Sequence, residues 1–300
     1  MDDTETFDVV VVGGGPAGAT AARDLAASGR HVLLIDRPGR IKPCGGAIPP
    51  RLIEDFDIPS SLLVARITSA RMVAPSGRAV DIPIENGFVG MVDRETFDPW
   101  LRERAAAAGA IVRTGQFLAL ERTPDGRVRV RYRPADGAGP AAECTVQAGA
   151  VVGADGTNSR VARAAGLHDE RIPFVFAYHE VIASPHADTS TTYDSTRCDV
   201  IYRGETSPDF YAWIFPHGQT LSVGTGSARK GFDLRTAVAA VRDRNGLAGQ
   251  TTLRREGAPL PLRPRRRWDD RRNVVLAGDA AGVVAPASGE GIYYAMLGGQ

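Results

Sequence analysis

Cysteine is scarce. The three residues Cys44, Cys144 and Cys198 are odd in number and follow no metal-ligand spacing. That excludes a dense disulfide framework, argues against a metal site, and makes a reducing compartment the simpler expectation. Lysine is scarcer still, with Lys42 and Lys230 alone among 36 basic residues. Against 35 acidic residues the net charge is +1, so no general pull toward nucleic acid or anionic lipid is expected. No apolar run reaches the roughly 18 residues of a membrane span. The acidic start MDDTETFD is unlike a secretory signal, and a cytoplasmic location is expected.

What is present is length and pattern. Three hundred residues exceed one average domain. A chain of that size buries about 75% of its unfolded surface. The end, GEGIYYAMLGGQ, stops inside a helical pattern with no cap, so a C-terminal remainder is expected to be missing.

FDVVVV at 7–12 reads as a buried strand, GGGPAG as a turn, and ATAARDLAASG as a helix ending at Gly29. HVLLIDR is a second strand, which completes a βαβ unit. Residues 68–83 read as a hairpin turning at Pro75-Ser76-Gly77. VDRETFDPWLRERAAAAG is a helix entered through Asp93, AIVRTG the strand after it, and 117–148 a strand meander around PDGR and ADGAGP. AGAVVGADG and RRNVVLAGDAAG return to buried-strand texture. Between them, from about 170 to 260, lie aromatic-bearing strands interrupted by the short helix LRTAVAAVRDRNG. A nucleotide domain in separated pieces is therefore expected over 1–66, 93–167 and 268–300. A strand-rich substrate domain is expected over 67–92 and 168–267. RPRRRWDDRR at 263–272 is expected to be a solvated connector.

Gly13-x-Gly15-x-x-Gly18 stands between a strand and a helix, the context this motif requires. Gly13 permits the tight turn, Gly15 lets a pyrophosphate approach the backbone, and Gly18 lets helix and strand pack closely. The helix start offers N–H groups and partial positive charge to phosphate. Asp36 ends the second strand where a carboxylate can accept from a ribose, with Arg37 beside it. These features predict a bound dinucleotide.

VVLAGDAAGVVAPASGEGIYYAM sets Gly278 and Asp279 after a buried strand, before a turn with Gly289 and Gly291. This resembles the second FAD signature of the p-hydroxybenzoate-hydroxylase-like flavoenzymes. VVGADGTNSRVAR resembles their Asp-Gly motif, with Asp155 and Gly156 near the cofactor. Arg94 in VDRETFDPWL matches the arginine this group uses on the adenosine side. The resemblance implies an α/β fold: a Rossmann-like FAD-binding domain of discontinuous segments with an inserted strand-rich substrate domain. Two alternatives stay open: Asp155 as a cap of the following helix, and Arg94 as an exposed first-turn residue.

KPCGGAIPP, FYAWIFPHG and PASGEGIYYAM together resemble the geranylgeranyl reductase family, in its chlorophyll and bacteriochlorophyll branch. The resemblance runs from Phe7 to Gln300. It implies FAD as cofactor, NADPH as reductant (with ferredoxin open), and saturation of a geranylgeranyl chain to phytyl on a pigment ester or a free diphosphate. Membrane contact would then be peripheral, at a photosynthetic membrane. Isolated alkenes cannot stabilise a carbanion, so hydride from the flavin must be matched by a proton from a nearby acid. Cys44, Tyr211 and His217 are the candidate catalytic residues. Tyr211, Trp213 and Phe215 alternate on one strand face and are the candidate lining of an apolar channel. The plainer roles stay open too: Cys44 as a small corner residue, His217 as a solvated loop residue, the aromatics as core. Competing readings are a flavin monooxygenase or halogenase on the same fold, an archaeal-type lipid or menaquinone-chain reductase, and a flavin-binding electron-transfer protein.

Overall fold

The structure is a computed structural model that describes residues 4–39, 41–135, 143–167, 172–185 and 192–300. All but the first residue of the expected turn ADGAGP lies outside them.

The chain opens with β1 (Thr6–Val12), α1 (Pro16–Ala27) and β2 (Val32–Asp36). Then come β3 (Ala47–Ile48), α2 (Pro50–Asp55), β4 (Leu63–Ile67), β5 (Ser69–Val73), β6 (Ala79–Pro83) and β7 (Val89–Val92). The helix α3 (Arg94–Ala107) precedes β8 (Ile111–Arg122), β9 (Val128–Pro134), β10 (Cys144–Gly153) and α4 (Arg160–Ala164). After it run β11 (Phe174–Ala183), β12 (Arg197–Ile201), β13 (Ala212–His217), β14 (Thr220–Ser227), α5 (Leu234–Arg244) and β15 (Thr252–Pro261). The chain closes with β16 (Val274–Leu276) and α6 (Ile292–Leu297). The expected βαβ start and the 68–83 hairpin are both there, the latter as antiparallel β5 and β6. AIVRTG and the first meander strand, expected as two, form the single strand β8, whose start pairs with β2 and whose end pairs with β9.

Contacts divide the chain into two compact units, at 1–41, 97–173 and 261–300, and at 42–96 and 174–260. These bounds differ from the expected ones. Segments 42–66 and 93–96 join the second unit, the former because β3 and β4 both pair with β7, and 261–267 joins the first.

In the first unit a parallel sheet runs β8-β2-β1-β10-β16, and antiparallel β9 bridges the outer halves of β8 and β10. Near-continuous apolar runs make these strands fit for burial on both faces. Val10, Val12, Leu33, Ile35 and Val151 pack one side, and Val11, Leu34 and the small residues Ala17, Ala21 and Ala22 of α1 pack the other. Small residues on α1 let the helix lie close to β1, and the strand order reverses at β1, with β2 on one side and β10 on the other, so a crevice opens at its carboxyl end.

In the second unit a seven-stranded sheet runs β15-β11-β14-β13-β12-β5-β6, and a three-stranded sheet runs β3-β7-β4. Period-two alternation sends Ala212, Ile214, Leu221 and Val223 to one face, under Val238 and Val241 of α5. At the edge of that face Arg242 donates to Glu180, Thr252 Oγ1 (2.7 Å) and the carbonyl of Gln250 (2.5 Å). Burial pushes the Glu180 carboxyl up, but Arg242, Tyr178 and Arg255 outweigh it and hold the group below its ordinary range. Removing one partner strands a buried charge. Arg242→Ala is therefore expected to cost about 3–5 kcal/mol, read from urea unfolding, against under about 1 kcal/mol for exposed Arg51→Ala.

Candidate active site

In the first unit the glycine turn is built by collisions that only glycine avoids. Gly13 has φ +104°, and a Cβ there would lie 2.3 Å from the carbonyl oxygen of Ala154. A Cβ on Gly18 would lie 1.9 Å from the Gly13 carbonyl oxygen. The helix α1 starts at Gly15 with no side-chain cap and no acidic residue in its first turn. Its N–H groups thus fit a pyrophosphate.

The other motifs converge on this turn. A Cβ on Gly278 would touch Ala17 Cβ at 2.9 Å, so the second signature packs directly on α1. Asp279 is buried and accepts from Thr157 Oγ1 at 3.2 Å, which ties it to the Asp-Gly motif. Gly289 turns with φ +69°, and Gly291 stands where a Cβ would be 3.8 Å from Asp279 Oδ1. Asp36 ends β2 as expected, but its Oδ2 accepts from Arg102 Nη1 (3.1 Å), which also donates to the Gly14 carbonyl (3.2 Å). Arg102 was not legible in the sequence: it is one arginine among many, and nothing short-range marks it. Arg37 is exposed.

The Asp155 side chain faces the start of α4. Its Oδ2 accepts from the N–H groups of Arg160 (2.6 Å) and Val161 (3.2 Å), and its Oδ1 from the Ser159 hydroxyl. Both oxygens are spent on the start of α4, so the side chain is a helix cap. What Asp155 brings to the glycine turn is main chain, since its N is 2.9 Å from where a Gly13 Cβ would sit. Gly156 follows it with φ +85°. Arg94 is buried, which removes the exposed first-turn alternative, and contacts group it with the second unit.

In the second unit the KPCGG turn and the YAWIFPHG strand come together. A Cβ on Gly45 would lie 3.1 Å from the Phe215 ring. Gly46 N–H faces Cys44 Sγ at 3.4 Å, and Cys44 is half-buried. His217 reaches the Gly45 carbonyl through Nε2 (2.9 Å) and Asp93 Oδ1 through Nδ1 (3.0 Å). Carbonyl and carboxylate are both acceptors, so a neutral ring can donate to only one of them at a time. His217 is thus not a solvated loop residue: both ring nitrogens face partners within the second unit. Contact with His217 holds the Asp93 carboxyl below its ordinary range. A depressed carboxyl stabilises the fold above the ordinary carboxylate range and loses that effect as pH falls through its folded value. Asp93→Asn is therefore expected to lower stability at neutral pH by up to about 1 kcal/mol, the partly exposed pair being screened. The two proteins should converge in urea midpoints once the pH falls well below the ordinary carboxylate range.

Tyr211, Trp213 and Phe215 share the sheet face opposite α5. Ring centroids are 6.0 Å apart for Tyr211 and Trp213 and 6.1 Å for Trp213 and Phe215, with Phe210 stacked on Tyr211 at 4.2 Å. Phe215 also packs against Ile67, Met91 and Cys198, so its role is partly core. Burial pushes the Tyr211 phenol far above its ordinary range and keeps it neutral.

A family model described as an FAD binding domain matches residues 68–297, and one for FAD dependent oxidoreductases matches residues 8–58. The geranylgeranyl diphosphate reductase of Rhodobacter capsulatus is 57% identical over 98% of this chain and 73% of its own length. The chloroplastic geranylgeranyl diphosphate reductase of Arabidopsis thaliana is 40% identical over 97% of this chain, which spans 64% of that protein. Among solved structures, a geranylgeranyl bacteriochlorophyll reductase-like protein of Thermoplasma acidophilum superposes with a TM-score of 0.86 at 28% identity, covering 98% of this chain and 76% of its own. The glycine turn, the buried Asp279 and the joined KPCGG and YAWIFPHG segments thus accompany whole-chain similarity, and the chain belongs to the geranylgeranyl reductase family of FAD-dependent oxidoreductases.

Proposed function

We propose that the protein saturates isolated double bonds of a geranylgeranyl chain to give phytyl, on a (bacterio)chlorophyll ester or on the free diphosphate, with NADPH as reductant. The observation that carries this reading is the joining of the KPCGG turn to the aromatic strand, Gly45 against Phe215 and His217 on the Gly45 carbonyl. The similarity to reductases named for geranylgeranyl diphosphate supports it.

Gly13–Gly18, Asp36 and Asp279 would hold FAD, which when bound would supply the hydride. The remaining task for this chain is to bind an apolar polyene and move a proton. The rings of Tyr211 and Trp213 offer π-faces, which bind isoprenoid units by contact and favour positive charge building on a protonating alkene. Of the three candidate acids, the His217 ring is committed on both nitrogens, and burial makes Tyr211 a weaker acid than free tyrosine. Cys44 is left as the donor. Cys44→Ala is expected to lower kcat by about 10²-fold, with Cys44→Ser between it and wild type. Wild-type turnover in both variants would remove Cys44 from the chemistry.

Among the described residues no helix is long and apolar enough to cross a membrane. A cytoplasmic protein that meets a photosynthetic membrane peripherally, to reach a lipid-held substrate, is part of the proposal. Separate assays with geranylgeranyl diphosphate and geranylgeranyl-bacteriochlorophyll, each with NADPH or reduced ferredoxin, decide carrier and reductant. Turnover with neither carrier would refute the reading.

A further inference from the structure

Behind Trp213 lies a row of polar side chains that sequence reading did not single out. The Trp213 Nε1–H donates to Ser222 Oγ at 3.0 Å. That oxygen is 2.8 Å from His179 Nδ1, and His179 Nε2 is 3.2 Å from Glu256 Oε2. The last contact is close but poorly aligned for a hydrogen bond. Glu256 in turn meets Arg254 at 3.2 Å through its other oxygen, and Arg254 meets Glu95 at 3.2 Å. Ser222 and His179 are both under 5% exposed, too deep to be met by a ligand without displacing Trp213.

An indole nitrogen only donates, so Ser222 Oγ accepts from it and shares a further hydrogen bond with His179 Nδ1. Contact with His179 holds the Glu256 carboxyl below its ordinary range, so an ionised acceptor stands opposite Nε2. Trp213, Ser222, His179 and Glu256 thus form one continuous polar row behind the indole. The strand register agrees: His179 lies opposite Gly224 on the neighbouring strand, and Gly224 opposite Trp213. Gly224 leaves the gap in which the indole lies, since a Cβ there would be 2.1 Å from Trp213 Cζ2.

We infer that Ser222, His179 and Glu256 are positioning residues that lock the plane of Trp213, and that this locked plane sets which isoprenoid unit of the chain is presented for reduction. The second half of this inference rests on the reductase reading above; the first half does not. A ring free to turn would still be apolar but would hold a long, self-similar chain in several registers. The expected signature is weaker substrate binding and early release of partly reduced chains, with little change in the chemical step.

The test uses the FAD-loaded protein in a Trp100→Phe/Trp268→Phe background, so that Trp213 alone emits. Ser222→Ala and His179→Ala are expected to raise acrylamide quenching of Trp213 at least threefold. With geranylgeranyl diphosphate they should raise KM about tenfold, hold kcat within threefold, and release dihydro and tetrahydro chains. His179→Gln restores both readouts, because its amide can hydrogen-bond both Ser222 and Glu256, whereas His179→Leu, of like volume, behaves as His179→Ala; a merely space-filling role would make His179→Leu restore them too. Unchanged quenching in Ser222→Ala, or equal damage from His179→Gln and His179→Ala, would overturn the inference. If the parent protein leaves geranylgeranyl chains untouched, the reductase reading fails and with it the register claim, while the quenching result still decides whether the row locks Trp213.

Discussion

Gly13→Ala is expected to yield a protein that retains no flavin. Two separate penalties fall on that one methyl group. The backbone at Gly13 has φ +104°, which costs an L-residue about 1–2 kcal/mol. The added Cβ would also sit 2.3 Å from the Ala154 carbonyl oxygen and 2.6 Å from its carbon, and neither is the free end of a flexible side chain. Both belong to the residue just after β10, which also hydrogen-bonds β1 through Ala154 N to the Val12 carbonyl at 2.8 Å. Relief must therefore move the turn that carries Gly15 and the start of α1. FAD affinity should fall at least 100-fold, measured by flavin fluorescence titration of the apoprotein. Gly29→Ala separates the two penalties. Gly29 has φ +83° but nothing within 4 Å of its Cβ, so it should lose about 1 kcal/mol of stability and keep its flavin. Equal flavin loss in both variants would mean that backbone strain, rather than the collision at the turn, governs binding.

The second large effect is expected from Gly224→Ala. Its methyl would lie 2.1 Å from Cζ2 and 2.4 Å from Cε2 of Trp213, and 2.6 Å from His179 Cβ. A buried indole fixed by its N–H has no small adjustment that clears this overlap, so the ring must leave its place or the strands must part. Overpacking of this sort costs about 1–3 kcal/mol, which a folded unit of this size should survive. The substrate face would be rebuilt. We expect FAD affinity within threefold of wild type and prenyl reduction down at least 100-fold. Gly226→Ala is the milder companion, since its Cβ would meet only the edge of Phe210 at 3.0 Å. A Gly224→Ala protein with wild-type turnover would show that the Trp213 face takes no part in the reaction.

The first site was legible because its chemistry is local. A β-branched run, a glycine turn and a helix of small residues occupy thirty consecutive positions, and backbone geometry alone explains each glycine. Asp279 and its flanking glycines were readable for the same reason. The Asp155 side chain was ambiguous in the sequence because a carboxylate before a short helix can face either a ligand or the helix start. Here the N–H groups of Arg160 and Val161 claim it. His217 showed its loop neighbourhood but not its partners, since Asp93 and Gly45 are 124 and 172 positions away. Ser222, His179 and Glu256 lie on three strands whose pairing is nonlocal, and no single segment carries a signal for them. Domain bounds failed likewise at 42–66, where the pairing of β3 and β4 with β7 outweighs nearness to β2 in sequence.

The most direct test of the central claim is an anaerobic one. The FAD-loaded protein is reduced with NADPH, supplied with geranylgeranyl diphosphate or geranylgeranyl-bacteriochlorophyll, and its products are weighed by mass spectrometry. Prenyl chains heavier in successive two-hydrogen steps, ending at phytyl, are the expected result. Flavin that is reduced by NADPH and reoxidised by added oxygen, with both prenyl chains unchanged, would contradict the account and favour an oxygen-using flavoenzyme on the same fold.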